Sequence, residues 1–196
     1  MGCNEKNMKN LILFKILIGC TPKNRLTEQH DVFFGIANSL QELVNDMRDF
    51  WPEANGKIHI DCWREVNQIE NYSVTVHDKS IPKPNNLQLF FINLGGYLPN
   101  EFEEYHYKTL LVAESKAAAI KKVKQTDFYK KFSFKGATSH VDDNYGVDID
   151  DIFEIEDILA PKFKINHHLH LTETENMGED SLHIGYLKIE KLLKSN

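Results

Sequence analysis

Residues 13–20 read Leu-Phe-Lys-Ile-Leu-Ile-Gly-Cys, and residues 89–96 read Leu-Phe-Phe-Ile-Asn-Leu-Gly-Gly. A short apolar run that closes on glycine has the length and content of a buried strand. The first copy, with Lys9 before it and Cys20 at its end, also has the outline of a lipoprotein secretion signal. Lys15 interrupts that apolar stretch, and the same layout recurs in mid-chain where no signal can act, so the strand reading is preferred.

The likeness extends outward from these runs. A shift of 76 residues aligns 13–42 with 89–118, and nine of the thirty positions are identical, among them Gly19/Gly95, Glu28/Glu104, His30/His106 and Ser39/Ser115. Each copy continues with a polar, proline-bearing loop and a second short run rich in β-branched and aromatic residues, Val32–Ala37 and Lys108–Ala113. Ser39, with Glu42 three residues on, has the form of a capping box opening a helix striped by Leu40, Leu43, Val44 and Met47. Ser115 opens the corresponding helix, with Ile120 and Val123 expected inward. Two further strands are expected in each unit: Lys57–Val66 with Tyr72–Val76, and Ser139–Val147 with Ile152–Ile158.

The fold class predicted is α+β: two tandem, pseudo-symmetric strand-strand-helix-strand-strand units plus a C-terminal strand pair. Residues 1–9 are expected to form a loose polar N-terminus, 10–77 the first unit, 78–86 a proline-bearing linker and 87–160 the second unit. Residues 161–196 supply the strand pair, Lys164–Leu171 and Ser181–Ile189, packed on the repeats.

Composition narrows the function classes. The chain has 196 residues and a net charge of -6, which counts against a nucleic-acid binder, since phosphate neutralisation needs a concentrated positive surface. No run approaches the roughly 18 to 20 apolar residues of a membrane span. Three cysteines cannot all pair with one another and fit a reducing compartment.

Nine histidines stand out. Glu-x-His occurs once per unit (Glu28, His30; Glu104, His106), as does His-x-Asp (His59, Asp61; His140, Asp142). In extended backbone, residues two apart share a face, so each motif presents an imidazole beside a carboxylate. Such a set suits a divalent transition metal or a carboxylate-oriented general base. It equally suits hydrogen bonding to loop backbone, and it matches no established metal signature such as CxxC or HExxH. His168 and His170 form a third candidate pair on one strand face, where solvated histidines are the alternative. Cys62 is a weak candidate nucleophile, because Asp143 stands at its aligned position. Asp142-x-Asn144-x-Gly146 fails as a calcium loop, since its glycine falls one place early and Phe153 replaces the bidentate glutamate.

Gly19 with Glu28, His30 and Asp31, then His59-Ile60-Asp61 with Trp63 and Val66, and in the second half Phe91–Tyr97 with Glu101–His106, resemble the bacterial family called domain of unknown function 1543. The resemblance runs from about Leu13 to Ile189, except that Cys20 replaces the second glycine usual there. It implies a bacterial cytoplasmic protein and supplies no activity. Two functions follow as expectations: a module binding a protein partner or small ligand, compatible with a homodimer, or a metal-dependent enzyme using His30 and His59 with Glu28 and Asp61.

Overall fold

The computed structural model describes residues 11–98, 100–126, 147–175 and 178–193. Its first hairpin pairs β1 (Ile12–Cys20) with β2 (Gln29–Ala37), and β3 (His59–Glu65) joins the other side of β1. A strand with neighbours on both edges and packing on both faces has to be apolar almost throughout, which is why residues 13–20 read as one continuous run. Phe14, Ile16 and Ile18 pack on one side against the 3₁₀ turn Leu40–Leu43 and α1 (Val44–Phe50), which present the expected stripe of Leu40, Leu43, Val44 and Met47. Leu13 and Leu17 point the other way, into a core shared with the second half of the chain.

That second half contains β6 (Gln88–Tyr97) between β7 (Glu104–Ala113) and β8 (Val147–Glu154). Its outer face packs on α2 (Lys116–Val123) through Ala119 and Val123, with Ile120 half-buried. The two sheets face one another across the shared core, where the rings of Phe34 and Phe91 meet edge to face at 5.3 Å between centroids. A third sheet, in the order β4 (Gln68–Ile69), β5 (Tyr72–Asp78), β9 (His167–Glu173), adds Ile69, Val74, Leu169 and Leu171 to that core. Mixed strands and helices with antiparallel sheets make the protein α+β, as its periodicities predict.

The hairpins match in register. Gly19 pairs with His30 as Gly95 pairs with His106, and the β-bulge between Leu17 and Ile18 has its like between Asn93 and Leu94, each a shift of 76. Asn24 and Asn100, also 76 apart, both take the left-handed conformation in the hairpin loops.

Several elements differ from the sequence reading. The last two strands do not pair with each other: β9 joins β5, and β10 (His183–Lys188) joins β3 at the edge of the first sheet. Pro161 opens a short helix to Asn166 where a strand was expected from Lys164, because its fixed φ suits a first helical turn. Ile155–Ile158 is also helical, so the strand expected over Ile152–Ile158 ends at Glu154 as part of β8, while residues 139–146 of the other expected strand lie outside the described residues, as do residues 1–9. Ser115 caps α2 through Ala118 N–H, whereas Ser39 makes no such bond and Glu42 accepts instead from the backbone and side-chain amides of Asn38. No described helix is long and apolar enough to cross a membrane.

Lys15 is the exception in β1. Its ammonium lies between the sheets, 3.1 Å from the Lys108 carbonyl oxygen and 5.7 Å from the centre of the Phe91 ring. Burial, assisted by the charge of Arg64, lowers its pKa from 10.5 to about 8. The unfolded chain therefore holds the proton more tightly, so the folded state is destabilised by about 3 kcal/mol below pH 8, a cost that fades between pH 8 and 10.5. Lys15→Met is accordingly expected to stabilise the protein by about 2 kcal/mol at pH 7 and to lose most of that gain by pH 10. Urea unfolding at both pH values measures it, and an equal gain at both would contradict the buried-charge explanation.

Candidate metal centre

Neighbouring strands lie about 4.8 Å apart, so side chains on β2 and β3 are normally held apart by a side chain of β1 between them. At Gly19 that side chain is missing. His30 and His59 are its two cross-strand partners, and their rings converge over the gap. A β-carbon at residue 19 would lie 2.6 Å from Nε2 of His59 and 2.8 Å from Oδ2 of Asp61, so the glycine is required for clearance. The sequence reading closed the run on Gly19; the strand instead continues to Cys20.

The carboxylates arrive by two routes. Glu28 precedes His30 by two residues at the start of β2. Asp61 is the extra residue of the β-bulge, since Leu17 pairs with Cys62 and Ile18 with Ile60, and the bulge re-aims its side chain toward the imidazoles. Glu28 Oε1 lies 3.0 Å and Asp61 Oδ1 3.3 Å from Nε2 of His59, while Asp61 Oδ2 lies 3.3 Å and Glu28 Oε2 3.7 Å from Nε2 of His30. One ligating atom each from Glu28, His30 and His59 lie within 4.8 Å of one another.

Proximity here is not hydrogen bonding. Nε2 of His59 and Oδ2 of Asp61 are buried and have no hydrogen-bond partner. Leaving a buried polar atom unpaired costs about 1–3 kcal/mol, so two in one cluster require compensation. None of the four side chains hydrogen-bonds to loop backbone among the described residues; their contacts are with one another. His59 is buried beneath the ring of Tyr186, 4.4 Å away between centroids, while Glu28 (43%) and His30 (39%) are exposed, so the cluster has a closed floor and an open side. Tyr186 carried no signal in the sequence, because β10 reaches β3 only through the fold.

The remaining candidates separate. Glu104 and His106 occupy the same register as Glu28 and His30, with 3.8 Å between His106 Nε2 and Glu104 Oε2, and Nδ1 of His106 is 3.4 Å from the Asn93 amide. Across Gly95 on the other side stands Asp148, and the bulge leaves Asp150 unpaired. The offset from His59 is thus 89 residues, where the sequence alignment used 81 and reached His140 and Asp142, which lie outside the described residues. The connection from α2 to β8 is longer than the one from α1 to β3, and sparse identity could not register it.

His168 and His170 sit in the third sheet and are buried, with their Nε2 atoms 3.0 Å apart. His77 stacks on His170 at 3.9 Å and turns its own Nε2 toward Thr75 Oγ1. Burial and the neighbouring imidazoles push the His170 pKa down, favouring the neutral ring. Cluster Glu28-His30-His59 is the one group of three or more ligating side chains among the described residues. Cys62 follows Asp61 and lines the space between the sheets beside Leu17, and burial pushes its thiol pKa up, opposite to what a nucleophile needs.

These features define the class: an α+β protein of facing antiparallel sheets with a His/carboxylate cluster at the end of a central strand. Residues 25–76, the segment containing all four cluster residues, match the family model described as Domain of Unknown Function (DUF1543). The chain's fold is similar to the crystal structure of a protein Il1583 from Idiomarina loihiensis, with a TM-score of 0.63, 20% identity, and coverage of 91% of this chain and 97% of that one. No curated protein matches the chain.

Gly19→Ala is expected to destabilise the fold by about 1–3 kcal/mol through the forced contact with His59 and Asp61. Thermal unfolding of a double-mutant cycle checks this. The penalty shrinks when His59 is also alanine, and an undiminished penalty would place the strain elsewhere.

Proposed function

We propose that the protein binds one divalent transition metal ion through Glu28, His30, His59 and Asp61, and uses it to hold or transform a small molecule. The observation that carries this reading is the convergence over Gly19 of two imidazoles and two carboxylates whose buried atoms, Nε2 of His59 and Oδ2 of Asp61, lie 3.0 to 3.3 Å from opposite groups yet make no hydrogen bond. A cation satisfies both at once. Two imidazoles and two carboxylates are the donor set that zinc-like ions accept.

Exposure of Glu28 and His30 favours a ligand-accessible centre over a closed structural one, and so favours a metal-dependent enzyme over a scaffold. An ion bound there would supply Lewis-acid polarisation of a ligand oxygen. His59 under Tyr186 and Asp61 at the bulge serve as fixed donors, and Glu28 on the open side is placed to orient the ligand or accept a proton. The common register offset, the matching bulges and the left-handed Asn24 and Asn100 support descent of the two hairpins from one duplicated unit, of which the first keeps the two-histidine set. Free thiols at Cys20 and Cys62 support a reducing compartment, in keeping with a bacterial cytoplasmic protein.

Metal analysis and calorimetric titration of protein made without a His tag provide the test. One zinc or cobalt ion per chain is expected, released on acidification because protonated imidazoles cannot donate to a metal. Asp61→Asn weakens binding by roughly 10–100-fold, and His30→Ala with His59→Ala removes it. Metal content below one ion per chain and indifferent to the double substitution would refute the centre.

A further inference from the structure

Beyond the metal cluster, the space between the two sheets forms a cavity of about 700 Å³, within the range that encloses small molecules. Lys15, Arg64 and Lys108 line it, together with the titratable side chains of Cys62, His106 and Tyr107, and none of the three cations has a carboxylate partner among the described residues. The bordering acids are engaged or outside. Asp180 accepts the backbone N–H groups of Asn67 and Gln68 at 2.9 and 3.0 Å, Glu70 pairs with Lys122 at 3.0 Å, and Glu179 is exposed. Apolar side chains, including Leu17, Ile69 and Leu110, complete the walls.

Three uncompensated cations around a largely apolar cavity are unfavourable unless an anion enters. Lys15 is the clearest case, since a methionine would fill the same volume without desolvating a charge. We propose that this cleft binds a small organic anion, a carboxylate or phosphate monoester with an apolar body, whose charge is met by Lys15, Arg64 and Lys108. The anion favours the protonated amine, so affinity declines as pH rises through the Lys15 pKa of about 8. Leu17 lines the cleft two residues from Gly19 on the same face of β1, which places the cavity beside the metal cluster; the proposal does not depend on a bound metal.

Titration of the EDTA-treated protein with benzoate, phenyl phosphate and neutral benzamide, followed by calorimetry at pH 7 and 9, tests the site. At least one of the two anions binds saturably at pH 7, more weakly at pH 9, and benzamide does not bind. The tighter anion identifies the head group. Lys15→Met, expected to fold more stably than the natural chain, weakens the anion by about tenfold or more and abolishes the pH dependence. Absence of saturable binding of both anions up to about 20 mM, equal binding of benzamide, or unchanged affinity in Lys15→Met would each overturn the proposal. EDTA treatment keeps the outcome separate from that of the metal centre.

Discussion

The approach of two imidazoles across a residue without a side chain is the constraint on which the candidate site depends. β1 is the central strand of its sheet, so whatever residue 19 carries fills the space between β2 and β3. Only hydrogen in that place lets His30 and His59 meet, and the bulge at Asp61 then brings a carboxylate to the same point. Polar atoms gathered this closely without hydrogen bonds are costly, and they persist because the sheet is held on both faces by apolar packing.

The same face of β1 carries a second polar intrusion. Lys15 and Gly19 alternate with the apolar Leu13 and Leu17, whereas the opposite face, from Phe14 to Ile18, is uniformly apolar and seated on α1. One side of this strand serves stability and the other carries groups that stability alone would not select. In the second sheet Phe91 stands where Lys15 stands in the first, and Asp148 stands where His59 does, so the matching hairpins are not chemically equivalent. The asymmetry puts the two-histidine set in the segment that matches the family model.

Much of this was legible in the chain. Period-two spacing put Glu28 beside His30 and Glu104 beside His106, and the repeated apolar runs ending in glycine marked the two central strands. The helical stripe Leu40, Leu43, Val44 and Met47 was likewise readable, because helical periodicity is local. Legibility ended where contacts are remote. The separate destinations of β9 and β10 follow from which sheet edges were open, and Pro161 turned an expected strand into a helix by fixing its own φ. His168 and His170, readable as solvated, are buried because β9 lies in a sheet packed on the common core.

The sequence by itself determined the two central strands, the helical stripe of Leu40 to Met47 and the placing of His30, His59 and His106 each beside an acid two residues away, since these depend on residues two to four apart. Tertiary structure alone decided that His30 and His59 belong to one cluster, that Tyr186 covers it, and that Lys15 lies between the sheets. Those relations join strands distant in the chain, and strand order, register and a single bulge set them; no local pattern encodes any of the three.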